Sequence, residues 1–73
     1  MAGPESKFVQ AERHVREGAE RVKRQAALAE QLERDGHRKA AEAAWGPLSA
    51  LEESLQIARE HLRIQREEAG LKP

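Results

Sequence analysis

The chain has 73 residues with 13 basic side chains, 13 acidic side chains and no cysteine. This length allows one domain, and the missing cysteine excludes disulfides and thiolate metal sites. A formal net charge of zero argues against a strong nonspecific polyanion binder. No apolar run approaches the roughly 20 residues of a membrane span, and the N-terminus lacks a secretion signal pattern, so we expect a cytoplasmic location without membrane contact.

The first half of the chain predicts one long helix. Residues 1–5 are expected to form a flexible leader, with Ser6 as a candidate N-cap, and helix 1 should cover about residues 6–34. Phe8, Val15 and Val22 recur at heptad spacing and continue in Ala29, which is typical of the buried stripe of an amphipathic helix.

A short turn is predicted at residues 35–37. Gly36 is the expected left-handed residue that ends helix 1, and His37 lies near the negative end of the helix dipole. Asp35 is an alternative cap for the following helix. A connection this short requires the two helices to be antiparallel neighbours.

Helix 2 should run from about residue 38 to about residue 68, followed by a tail at 69–73. Gly46-Pro47 interrupts the pattern, because a proline inside a helix removes a hydrogen bond, so we expect a kink or a break there. Apolar stripes of the two helices should meet in the hairpin core. The predicted core consists of Phe8, Val15, Val22, Leu32, Leu48, Leu51, Leu55 and Leu62.

A second apolar face is predicted on helix 2. Ile57 lies about 160° around the helix from Leu55, and Ile64, Ala43 and Ala50 continue its row. One alternative is a scatter of surface apolar groups, which is common. The other is a contact with a further chain, because a hairpin has only one internal interface.

Trp45, the single tryptophan, has two interpretations. It fills space around Gly46-Pro47, or it anchors a partner as tryptophans often do at interfaces. We predict an oligomer interface formed by Trp45, Ile57, Ile64, Ala43 and Ala50.

No residue pattern predicts catalysis, a cofactor or a metal site. His14 and His61 each have alanine three residues earlier, so the Glu-x-x-His pattern of helical metal sites is absent. The consecutive glutamates at 52–53 and 67–68 face different sides of a helix and cannot share a proton. We therefore expect a protein that is not an enzyme.

Helix 1 is locally basic at Arg13, Arg16, Arg21, Lys23 and Arg24. A nucleic-acid-binding arm would use such residues against phosphates. Acidic residues are interleaved at i,i+4 spacing, however, which is more typical of a solvated helix face with ion pairs. Nucleic acid binding is therefore the alternative function and not the main prediction.

Arg24-Gln25, the Leu32–His37 turn and the later leucine stripe resemble a group of short helical proteins of soil and plant-associated alphaproteobacteria. The similarity covers roughly residues 12–66, and the turn is its most specific part. Arg38-Lys39 and Gly46-Pro47 depart from the pattern of that group. The resemblance implies a helical hairpin and carries over no functional residue.

We therefore predict an all-α fold, an antiparallel two-helix hairpin that self-associates into a four-helix bundle or a coiled-coil-like oligomer. A homodimer is the simplest form, and a tetramer is the larger alternative. The predicted function is a small non-enzymatic scaffold or protein–protein interaction module. A subunit of a hetero-complex, docked on an unidentified protein, is the further alternative.

Overall fold

The structure, a computed structural model, describes residues 6–70 and contains two helices, α1 (Lys7–Arg34) and α2 (Arg38–Glu68). The helices pack against each other along their length, and no strand occurs within residues 6–70. The prediction of an all-α two-helix hairpin is confirmed. The predicted leader, residues 1–5, and residues 71–73 of the predicted tail lie outside the described residues.

Both ends of α1 are closed by local hydrogen bonds. The Ser6 hydroxyl accepts from the backbone N–H of Val9, an N-cap worth about 1 kcal/mol. At the other end Gly36 has a φ of 80°, and its N–H bonds to the carbonyl of Glu33 while the N–H of His37 bonds to that of Leu32. This pair of bonds is a Schellman motif, and it turns the chain back toward α1.

The start of α2 is less well capped. His37 occupies the N-cap position without a side-chain hydrogen bond, and the carboxylate of Asp35 accepts from the Gln31 amide instead. Arg38 and Lys39 in the first turn lie at the positive end of the helix dipole, which is the less favourable end for a cation.

Pro47 lies inside α2, and the helix passes through it without a break. Proline has no N–H to give to the carbonyl four residues earlier, which here belongs to Ala43. Ala43 and Pro47 are both exposed, so the missing hydrogen bond lies on the solvent side of the helix. The helix then tolerates the proline at a smaller cost than a buried site would impose.

The interface between the helices is lined by small side chains. The buried residues are Ala11, Ala29, Ala41, Ala44 and Leu55. Near the middle of the hairpin α1 has Gly18 opposite Leu55, and a Cβ added to Gly18 would lie 3.2 Å from the Leu55 Cδ1. The backbones therefore approach closely, which leaves little room for large buried side chains.

Two hydrogen bonds join the helices in the half of the hairpin nearer the turn. The Gln25 side-chain amide donates to the backbone carbonyl of Ala44, and the Trp45 indole N–H donates to the Glu33 carboxylate. Gln25 is half-buried, so its bond satisfies a polar group that the interface would otherwise leave without a partner.

Among the predicted core residues, Leu55 is buried and the others are half-buried. The half-buried residues are Phe8, Val15, Val22, Leu32, Leu48, Leu51 and Leu62. All of them lie on the faces where α1 and α2 meet, but a single neighbouring helix cannot enclose side chains of this size.

The hairpin is therefore elongated. Its principal extents are 50 × 29 × 16 Å and its radius of gyration is 16.3 Å, whereas a compact domain of this length has a radius of about 11 Å. The chain exposes 5845 Å², while a typical folded monomer of its mass exposes on the order of 4,500 Å². One copy thus exposes an excess of roughly 1,300 Å² over that expectation.

Candidate interaction surface

Helix α2 carries two stripes at heptad spacing that contain no Asp, Glu, Lys or Arg. The inner seam faces α1 and consists of Ala41, Ala44, Leu48, Leu51, Leu55, Ala58 and Leu62. The outer seam follows the same alternation of three-residue and four-residue steps. It consists of Ala40, Ala43, Pro47, Ala50, Ser54, Ile57, His61 and Ile64. Glu68, the last residue of α2, continues the row of Ala40, Pro47, Ser54 and His61 just beyond the outer seam, and every other charged residue of α2 lies in the remaining band of the helix.

The inner seam is covered by α1, and the outer seam is not. Each residue of the inner seam is buried or half-buried, whereas each residue of the outer seam is exposed. Ile57 is 55% exposed and Ile64 is 36% exposed. An exposed stripe without charge that runs from Ala40 to Ile64 is the pattern expected of a contact surface rather than of a solvated face.

Four of the five residues predicted for an oligomer interface lie together on the outer seam: Ala43, Ala50, Ile57 and Ile64. Trp45 does not, because it is about 160° around the helix from Ala43. Its half-buried indole is bonded to Glu33 of α1 within the same chain. The role of Trp45 between subunits stays a prediction.

Sequence reasoning missed the other half of the outer seam, which comprises Ala40, Pro47, Ser54 and His61. None of these four is a large apolar residue, so a search for hydrophobic periodicity passes over them. The signal that identifies them is the absence of charge at heptad spacing in a helix where charged residues are otherwise frequent.

One flank of the outer seam changes sign along the helix. Lys39, Gly46, Glu53, Glu60 and Glu67 follow one another at seven-residue intervals, so they share a face beside the seam. This row is basic at the turn end of α2 and acidic at the other end.

Arg63 bridges two carboxylates of that flank. Its guanidinium donates to Glu60 and Glu67, and all three side chains are more than half exposed. The hydrogen bonds and charge of Arg63 hold the pKa of Glu60 below its usual value, and the two carboxylates raise the pKa of Arg63 in return. Each of these two groups thus stabilises the charged form of the other.

The other flank of the outer seam meets α1 along a shallow groove of about 320 Å³, lined by His14, Glu17, Gly18, Arg21, Ser54 and Ala58. Arg21 from α1 and Ser54 from α2 thus lie on the same side of the hairpin. Leu28 is one heptad after Arg21 and shares its face, and Pro47 is one heptad before Ser54. Leu28 is 51% exposed, so α1 adds an exposed leucine beside the outer seam.

A second depression, of about 520 Å³, lies at the turn and is lined by Glu33, Gly36, Arg38, Ala41 and Glu42. Its lining is charged, and it holds no arrangement of a nucleophile with a base. Within residues 6–70, no three His, Asp or Glu side chains come together in a way that could hold a metal ion.

The basic residues of α1 are exposed at Arg16, Arg21, Lys23 and Arg24, and Arg13 is half-buried. In α1, Glu12, Glu17, Glu20 and Glu30 each have an arginine four residues later. None of these four glutamates forms a salt bridge with that arginine within residues 6–70. The predicted ion pairs therefore do not stabilise α1 in this structure. Acidic side chains remain interleaved with the basic ones on its exposed surface.

Comparison with known proteins gives no match to a protein family model, to a curated protein or to a solved structure. In residues 6–70 neither helix combines the length and the apolar composition needed to cross a membrane. The outer seam is thus the feature of residues 6–70 that points to a function.

Proposed function

We propose that this protein is a small non-enzymatic interaction module that self-associates through the outer seam of α2. In the simplest form two hairpins make a two-fold dimer and a four-helix bundle. The observation that carries the proposal is the outer seam itself, which is exposed and contains no Asp, Glu, Lys or Arg over its whole length.

The size of the hairpin supports a second copy as the occupant. Two helices that bury mainly alanines form a core too small for a stable isolated domain, and chains of this size usually gain stability from a disulfide, a metal or a partner. The chain has no cysteine. The excess exposed area of roughly 1,300 Å² exceeds the ~800 Å² that each partner buries in a standard interface.

The proposal is tested with the double variant Ile57→Lys and Ile64→Lys. Two ammonium groups on the outer seam would have to be desolvated in the contact, which is costly, whereas both positions are exposed in the single hairpin. We expect sedimentation equilibrium to show twice the mass of the 8.2 kDa chain for the unmodified protein and the mass of one chain for the variant. Helicity should fall at the same time.

Val9→Lys is the matched control. Val9 is 43% exposed and lies on the outer face of α1, so this variant should keep the mass of the unmodified protein. A double variant with the same mass as the unmodified dimer would refute the proposed contact. An unmodified chain that is monomeric and poorly folded would instead favour the hetero-complex alternative.

The nucleic-acid alternative uses the exposed cations Arg21, Lys23 and Arg24. Neutralising them to Gln should abolish a salt-dependent binding to DNA or RNA if this alternative is correct. Since Glu17 and Glu20 are interleaved and the formal net charge is zero, we expect no binding at low salt.

A further inference from the structure

We propose that two copies pair their outer seams in the antiparallel direction, about a two-fold axis close to residue 52 of α2. This inference rests on the self-association proposed above and adds its geometry. The outer seam runs from Ala40 to Ile64, and its midpoint is residue 52. A two-fold axis at that midpoint brings the whole seam of one copy against the whole seam of the other.

The side chains of the outer seam change in size along the helix. Its turn end has Ala40 and Ala43, and its other end has Ile57 and Ile64. Antiparallel pairing about residue 52 sets Ile64 against Ala40 of the partner copy, and Ile57 against Pro47 of the partner copy. Ile64 then meets a small side chain, and the isoleucine end of each seam lies against the alanine end of the other, as interdigitated helices require. Parallel pairing would place the isoleucines together and leave the alanine end loosely packed.

The charges beside the seam favour the same direction. In an antiparallel two-fold pair of helices, the charged flank of one copy faces the same flank of the partner copy. Lys39 then lies opposite Glu67 of the partner copy, and the symmetry repeats this pair at the other end. Near the axis, Glu53 lies opposite Glu53 of the partner copy. The dimer therefore has one repulsive contact between like charges and two attractive Lys39–Glu67 contacts. Such pairs of opposite charge determine the register and direction of helix pairing more than they raise the affinity between the copies.

The pairing also accounts for the exposed leucine of α1. Leu28 lies on the same side of the hairpin as Pro47, as the groove between Arg21 and Ser54 shows. Ile57 of the partner copy is opposite Pro47 in the antiparallel register. The same contact therefore covers Leu28, which is 51% exposed, and Ile57, which is 55% exposed.

A charge placed at the centre of the seam tests the contact. Ala50→Glu puts a carboxylate two residues from the proposed axis, at a site that is exposed in the single hairpin. Ser49→Glu is the matched control, because Ser49 is the adjacent exposed residue and lies outside the seam. We expect Ala50→Glu to raise the dissociation constant at least tenfold in sedimentation, and Ser49→Glu to leave it unchanged. Equal constants for the two variants would overturn the pairing.

The direction of pairing is tested with spin labels, because the chain has no native cysteine. In the antiparallel dimer, labels at Ser49→Cys are about 10 Å apart along the helix axis and labels at Arg66→Cys about 40 Å apart. Double electron–electron resonance should therefore give a short distance for the first variant and a long one for the second. Similar distances at both sites would mean parallel helices and would overturn the inference.

The two proposals fail differently. A chain that is monomeric at every concentration contradicts self-association, and the antiparallel pairing falls with it. A dimer that the Ile57→Lys, Ile64→Lys variant dissociates, but whose labels report parallel helices, leaves the proposed function intact and contradicts only the geometry.

Discussion

The inner and outer seams of α2 have the same sequence signature and different surroundings. Both run along the helix at heptad spacing without a charged residue, yet the inner seam is covered by α1 and the outer seam is exposed. A stripe of this kind on one side of a helix indicates a neighbouring helix. Helix α2 therefore has the composition of a helix with two neighbours, while the hairpin provides one.

The seams also differ in what they pack. The inner seam combines alanines with leucines, and its close approach to α1 centres on Gly18 and Leu55. The outer seam has alanines at one end and isoleucines at the other. Besides this packing, one hydrogen bond from Gln25 to Ala44 and one from Trp45 to Glu33 join the two helices.

The largest effect should come from the inner seam. Leu55→Ala removes the one large side chain that is buried within residues 6–70 and should lower the free energy of unfolding by about 2–4 kcal/mol. Urea denaturation at fixed chain concentration, followed by circular dichroism, measures this change. Val9→Ala is the control, since Val9 is exposed and lies on neither seam. If the two variants were equally stable, the inner seam would not be the core of the hairpin.

Glycine substitutions should have an intermediate effect on the stability of the hairpin. Gly36→Ala puts a side chain at a φ of 80° and should destabilise the hairpin by roughly 1–2 kcal/mol. Gly46→Ala has open space around the new Cβ and should stabilise α2 by up to about 1 kcal/mol. Thermal melts of the two variants should shift in opposite directions. If the melting temperatures of both variants shifted in the same direction, the left-handed conformation of Gly36 would not be what stabilises the turn of the hairpin.

The smallest effect should come from the flank of the outer seam. Arg63→Gln breaks the contacts to Glu60 and Glu67, which are exposed and therefore weak. The lowered pKa of Glu60 means that its small stabilisation exists above the ordinary glutamate pKa and is lost as the pH falls through the lowered value. The variant should melt as the unmodified protein does at neutral pH, and a drop of several degrees would contradict this.

The two-helix hairpin was predictable because its signals are local. Heptad stripes, a capping serine and a single glycine break define two helices and a short turn, and a short turn leaves only the antiparallel hairpin. The coarse fold needs no information beyond the spacing of residue types in the chain.

The details of the interface were not predictable in the same way. Gln25 lies one heptad after Gly18 on the face of α1 that meets α2, but its partner is the backbone carbonyl of Ala44, and no sequence pattern marks a backbone acceptor. The bond from Trp45 to Glu33 depends on the relative rotation of the two helices, which the sequence pattern does not define.

The outer seam lies between these two cases. Its apolar half, with Ile57 and Ile64, stands out in the sequence, while Ala40, Pro47, Ser54 and His61 do not. Their membership became visible once the structure showed that all four are exposed, as Ile57 and Ile64 are. A scan for missing charge at heptad spacing would recover the complete stripe from sequence alone.

In the proposed assembly a second copy of the chain covers the outer seam. Sedimentation equilibrium over a dilution series, with helicity recorded on the same samples, tests it most directly. We predict twice the 8.2 kDa chain mass at high concentration, and a joint loss of mass and helicity on dilution. A particle of one chain mass that stays helical and melts cooperatively at every concentration would contradict the account.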